Sequence, residues 1–545
     1  MKILMILFLI SGAATVAAEE ADLVLKNGTV TTMEASLPKA TAIAITGEKV
    51  IWVGEEKGAG YWIGKKTKVI DLKGAYVYPG LIDSHAHIIS LGGRRVEIDL
   101  LGTENKESIV RMVADGVAKA KKGEWIAGRS WDQNDWPVKE FPTRRDLDAV
   151  SPDNPVVLER IDGHAFWVNS AALRIAGITR DTPDQEGGKI YRDPQGNPTG
   201  ILVDNAMDLI VRARPALTRD QIKERIRAAL QDSAQKGLTM IHDAGQSNSD
   251  VAAFKELASR NELPVRVYGM YSVGNVGQAQ ELDAFPQNFS PYYEVRAIKM
   301  LVDGAMGSRG AALLSPYSDD PDNSGLLMWK ENDLLQILKE AKERGIQSCI
   351  HAIGDKGNRM VLNAYERTGT SDLRWRIEHV QLLALPDIPR LSKIGVIASM
   401  QPTHATSDMP WTPDRIGPER MRGSYAWRSL LDEKTVIAGG SDAPVEDINP
   451  LWGIYAAITR QDHKGKPEGG WLPHQRVTRM EALRMFTVDA AYAAFRENEL
   501  GSIKTGKLAD LVVLPDDILT CDPKAMLNMN VLYTIVGGQI RYAQN

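Results

Sequence analysis

Cysteine is almost missing from this chain. Cys349 and Cys521 are the only two among 545 residues, too few for a disulfide-stapled scaffold in any compartment, so both are expected to be free. An excess of charge is missing too. The 65 basic and 70 acidic residues leave a net charge of −5, which excludes a nucleic-acid surface or a polybasic membrane patch. Proline and glycine show no surplus. With 43% hydrophobic and 25% charged residues, the composition is that of a folded globular protein rather than a disordered one. No apolar run approaches the roughly 20 residues that a bilayer span requires, so stable membrane insertion is not expected.

What is present begins with a targeting signal. Lys2, the apolar run Ile3 to Ile10 and small residues at Val16 and Ala18 precede Glu19-Glu20, the order of a secretory signal peptide over residues 1–18. The mature chain is then expected to be periplasmic or secreted. Asp22 to Val30 reads as two strands about an Asn27-Gly28 turn, and Ala42 to Gly54 and Val69 to Tyr78 continue the texture. Ala509 to Leu514 and Val531 to Ile540 repeat it at the far end. Neither end alone has enough strands to bury a face, so residues 19–78 and 496–545 are expected to pair into one β-sandwich.

Between the ends, over 79–495, strand-like runs alternate with helical patterns. After the run ending at His85 come Thr239 to Asp243, Val265 to Tyr271, Val295 to Val302, Gln347 to His351, Trp375 to His379, Val396 to Met400 and Val436 to Gly439. Eight strands alternating with helices predict an α/β fold, a (β/α)₈ TIM-type barrel with its chemistry at the C-terminal strand ends. About 150 residues separate the first strand from the second, far more than an ordinary loop. The stretch from 90 to 235 must therefore contain a structured insertion. Its aromatic and polar segments, Arg129 to Pro137 and Asp162 to Asn169, suit a lid over a substrate pocket or, equally, a small core of its own.

The polar residues at the predicted strand ends are the candidates for chemistry. His85 and His87 close the first strand and are the only pair among nine histidines with that spacing; residues two apart on a strand share a face. Lys299 lies in the fourth strand, His351 ends the fifth, His379 ends the sixth, and Ser441-Asp442 follow the eighth. Neutral imidazoles with a carboxylate are the ligand set of catalytic zinc or a related divalent ion.

Several motifs together resemble the amidohydrolase superfamily, in particular its YtcJ-like, amidohydrolase-3 type that includes N-substituted formamide deformylases. They are Pro79 to His87, Trp131-Asp132-Gln133, Asp162-Gly163-His164, Asp303 to Arg309, His351 to Asp355, Glu378-His379, Gly440 to Pro444 and Gly506 to Leu511. The resemblance implies that His85, His87 and Asp442 ligate one metal and that His351 and His379 ligate a second. Lys299, if carboxylated, would bridge the two. It also implies a small-molecule amide-type substrate, with Asp442 as the proton carrier for hydroxide attack and Trp131, His164 and Arg309 as substrate contacts. Zinc is the expected ion, one or two per chain, and a homo-oligomer is compatible with the family. A deaminase is disfavoured because Gly354, not a glutamate, stands three residues after His351. Lactone or ester hydrolysis on the same scaffold stays open, as does an exported binding protein without turnover.

Overall fold

The computed structural model describes residues 20–544 except 101, 134–135, 161–164, 186–187 and 371. The expected signal peptide and His164 lie outside the described residues. Eight strands form the centre: β1 (Leu81–Ala86), β2 (Leu238–Gln246), β3 (Arg266–Ser272), β4 (Tyr293–Leu301), β5 (Gln347–Ala352), β6 (Arg376–His379), β7 (Ile397–Met400) and β8 (Ile437–Gly439). Each pairs in parallel with its neighbour in this order, as the alternation of runs predicts. The eighth strand meets the first through the chain just beyond it. The Asp442 N–H donates to the His85 carbonyl and the His87 N–H to the Ala443 carbonyl, both at 2.7 Å. A Cβ at Gly440 would lie 2.7 Å from the His85 nitrogen, so only glycine lets the two edges come this close.

Strand alternation separates two environments. On β4, Ile298 and Met300 point outward into the core shared with the helices, while Ala297 points into the barrel and Lys299 reaches His85. Ile82, Met240, Met270, Ala297 and Cys349 make an apolar barrel floor, closed by Ala490, Ala491 and Leu500. Above that floor the inward positions are polar. The helix Arg219–Gln235 shows how the outer layer is specified. Thr218 and Gln221 start it with a reciprocal capping box, and buried Ile222, Ile226, Ala229 and Leu230, at three- and four-residue spacing, face the strands.

The β1–β2 connection carries a six-stranded sheet in the order Gly188–Arg192, Pro198–Asp204, Ala165–Val168, Val156–Arg160, Ile126–Trp131, Ile98–Asp99. It has a core of its own around Trp131, Trp136, Leu158 and Trp167. The helix Arg219–Gln235, inside the expected 90–235 stretch, belongs instead to the barrel wall, since it shares the barrel core with Leu91 and Leu238. At the chain ends, Leu511–Leu514 pairs antiparallel with Tyr76–Pro79, so both termini enter one six-stranded sheet. A four-stranded sheet built on Leu23–Lys26 packs against it, and Leu25, Ile43, Val77, Val513 and Ile535 fill the space between. Both cysteines are unpaired. No helix of the described residues is long and apolar enough to cross a membrane.

Candidate metal centre

His85 is fully buried. Its Nδ1 lies 2.5 Å from Glu378 Oε2, which turns Nε2 toward Lys299 Nζ at 3.2 Å and Asp442 Oδ1 at 3.4 Å. His87 stands just past the end of β1, yet its Nε2 reaches the same Asp442 Oδ1 at 3.1 Å. Its side chain is 35% exposed, so the site opens on this side. His379 Nδ1 is 2.9 Å from Gln401 Oε1, leaving its Nε2 as the nitrogen for a ligand. The ligand atoms of His85, His379 and Asp442 all lie within 4.8 Å of one another.

Two features mark this cluster as built for a cation. His379 and Asp442 have φ of 76° and 59°, left-handed values that cost a non-glycine residue about 1–3 kcal/mol and persist only where the surroundings impose them. Asp442 Oδ1 is buried without a hydrogen-bond partner among the described residues, although two imidazole nitrogens lie within 3.4 Å. The 3.1 Å approach of His87 has the length of a hydrogen bond but not the alignment. Ligand atoms of three side chains therefore face a common space, as a divalent ion requires.

Electrostatics keep these groups in the state a metal needs. Burial, aided by the Lys299 charge, lowers His85 to about 4 and His351 to about 3, against the opposing carboxylates. Burial and the neighbouring His351 hold His379 well below its ordinary value. Burial alone would raise Asp442, but the His87 contact and the surrounding imidazoles of His85, His379 and His404 outweigh it and hold the carboxyl well down. Burial also lowers Lys299, against the pull of Glu378 and Asp442. Beneath the cluster, Arg376 grips Glu378 through Nε at 2.8 Å and Nη2 at 3.0 Å. This completes an Arg376–Glu378–His85 chain that fixes the imidazole's orientation. Asp83 receives the His85 and Ser441 N–H groups and the Ser441 hydroxyl at 2.9, 3.1 and 2.6 Å, tying β1 to the segment after β8. Burial still pushes its carboxyl up to about 7.

The six expected ligands converge at the C-terminal end of the barrel. The His379 ring is as near His85, with centroids 4.7 Å apart, as it is to His351 at 4.5 Å. His351 Nε2 faces the Gly304 carbonyl at 3.4 Å, which leaves Nδ1 as its free nitrogen. Two expected substrate contacts require correction. Trp131 is fully buried in the insertion's core, and its Nε1 donates to the Leu158 carbonyl at 2.9 Å, so it presents no face to a substrate. Arg309 is committed to Asp319 through Nε at 3.0 Å and Nη2 at 2.9 Å, and Arg415 grips the same carboxylate. His164 lies outside the described residues.

The end of β7 escaped the sequence reading altogether. Gln401 orients His379, and His404, three residues on, stacks with the His379 ring at 6.0 Å. A signal was available, because Gln401-Pro402 directly follows an apolar run and residues three apart share a helix face.

Three comparisons with known proteins agree. The amidohydrolase family model matches residues 68–542. The putative amidohydrolase YtcJ of Bacillus subtilis is 35% identical over 88% of this chain and 91% of its own. The N-substituted formamide deformylase of Arthrobacter pascens is 27% identical over 96% and 98%. Among solved structures, an uncharacterized metal-dependent hydrolase from Pyrococcus furiosus superposes with a TM-score of 0.78 at 28% identity, covering 91% of this chain and 100% of that one.

Proposed function

The chain belongs to the amidohydrolase family, and on that premise we propose that this metal-dependent hydrolase cleaves a non-peptide C–N bond, that of an N-substituted amide or formamide. The observation that carries the reading is the buried convergence of His85, His379 and Asp442 with an unpartnered carboxylate oxygen. Similarity to a formamide deformylase over nearly its whole length supports the bond class.

Zinc suits a set of imidazoles and one carboxylate without thiolate. His85, His87, His351, His379 and Asp442 would hold one or two ions. Lys299 would join a pair if its amine, once deprotonated, added to CO₂, forming an N–C bond and releasing one proton. When bound, the metal polarises the substrate carbonyl and lowers the pKa of a water to about 7. The chain's own part is proton transfer and orientation. Asp442 takes the proton of the attacking water on a carboxylate oxygen and gives it to the departing nitrogen. Glu378 and Gln401 hold the two imidazoles in register through their Nδ1 atoms.

The test is hydrolysis of N-alkyl formamides, other amides, lactones and esters by zinc-loaded and metal-stripped protein. Metal-dependent turnover of an amide or formamide is expected. Protein that turns over lactones or esters and no amide overturns the bond class, and metal-replete protein inert on the whole panel overturns the enzyme reading. We also propose export, with removal of residues 1–18. The exported protein should then begin at Glu19, and a retained Met1 would refute this.

A further inference from the structure

His404 lies beside the ligand cluster without joining it. It sits on the short helix Pro402–Asp408 after β7, one turn beyond Gln401, and is only 6% exposed. Its ring lies nearly parallel to that of His379, at 13°. Gln381 Nε2 lies 3.2 Å from its Nδ1; with the amide donating, Nδ1 is an acceptor and the ring proton is assigned to Nε2. That buried Nε2–H has no hydrogen-bond partner among the described residues. Asp442 Oδ2 is the nearest carboxylate oxygen, at 3.6 Å, too far for a hydrogen bond. Asp442 therefore stands between two sets of groups, with Oδ1 toward His85 and His87 and Oδ2 toward His404.

A buried donor without an acceptor is unfavourable unless something brought into the site supplies one. A planar amide offers a single strong acceptor, its carbonyl oxygen, because the nitrogen lone pair is delocalised. That oxygen is also where negative charge develops when the carbonyl carbon is attacked. We infer that His404 is a catalytic residue that touches the substrate, its Nε2–H binding the acyl oxygen on the flank where Asp442 carries the proton. The inference rests on the hydrolase reading above but not on which acyl bond is broken.

The test uses methylphosphonate, a stable tetrahedral oxyanion, titrated calorimetrically into the zinc-loaded full chain. His404→Gln places an amide N–H near the Nε2 position, whereas His404→Asn falls short of it. Zinc content should be unchanged in both variants. Methylphosphonate affinity should fall about tenfold or more in His404→Asn and stay within about threefold in His404→Gln. On any amide the protein turns over, kcat/KM of His404→Asn should fall by about 10²-fold or more. Equal methylphosphonate affinity in His404→Asn and the unmodified protein overturns the inference, as does no measurable binding by the unmodified protein. Loss of zinc from His404→Asn also overturns it, by making His404 a ligand. The titration needs no turnover, so a protein that cleaves lactones instead of amides would refute the C–N reading and leave the His404 result standing.

Discussion

The buried indoles of the insertion and the site groups of the upper barrel treat their polar atoms in opposite ways. In the insertion each buried indole closes on one backbone carbonyl: Trp131 on Leu158, Trp136 on Thr103 and Trp167 on Thr143, at 2.9, 3.0 and 2.9 Å. These donors are satisfied where they lie. In the upper barrel His404 contacts Gln381 through Nδ1 and leaves Nε2 unmet among the described residues, and Asp442 Oδ1 is likewise unmet. Unmet buried atoms are destabilising unless a ligand completes them. The contrast separates a region that stabilises itself from one that is finished by what it binds.

The strongest test of that contrast is Asp442→Asn. The amide keeps the shape and cannot carry the proton, so turnover should fall about 10³-fold while most of the metal is retained by mass spectrometry. Normal hydrolysis would remove Asp442 from its role. Next, Glu378→Gln leaves the fully buried Arg376 without its counter-charge. Unfolding in urea should show a loss of about 3–5 kcal/mol, with metal affinity down by about 10–100-fold through His85. A variant with unchanged metal affinity would show that the Arg376–Glu378–His85 chain only supports the fold.

On the insertion side, Trp131→Phe should lower stability by about 1–3 kcal/mol, because it removes the indole N–H that donates to the Leu158 carbonyl and leaves a void in the small core. Metal content and KM should not change. A shift in KM would break the contrast by returning Trp131 to the substrate. The smallest effect is expected from Arg309→Ala. Its partner Asp319 keeps Arg415, so kcat/KM should stay within about threefold, as for a surface ion pair. A larger loss would restore Arg309 as a substrate contact.

Much of the barrel side was legible because its signals are local. An apolar run ending in His-x-His, a lysine inside a strand and an aspartate after the last strand each state their position without reference to the rest of the chain. Glu378 was not legible in the same way. Strand alternation sends it to the face opposite His379, and both reach the centre only because His379 takes a left-handed φ of 76° that turns its ring back inward. Trp131 was misleading for the converse reason. A tryptophan between polar residues has the same local pattern at a pocket wall and in a small core, and only the Leu158 carbonyl across the sheet distinguishes the two.

The sequence by itself determined the eight-strand alternation, the pairing of the two chain ends and the residue types at five strand ends, because period, turn chemistry and ligand type are properties of short segments. Only the tertiary structure decided how those residues combine. It placed His85 against Glu378, 293 residues away, mixed ligands from β1, β6 and the segment after β8 into one cluster, and added the β7 end through Gln401 and His404. Contacts of that range depend on barrel closure at Gly440 and on backbone strain at His379 and Asp442, which no short segment encodes alone.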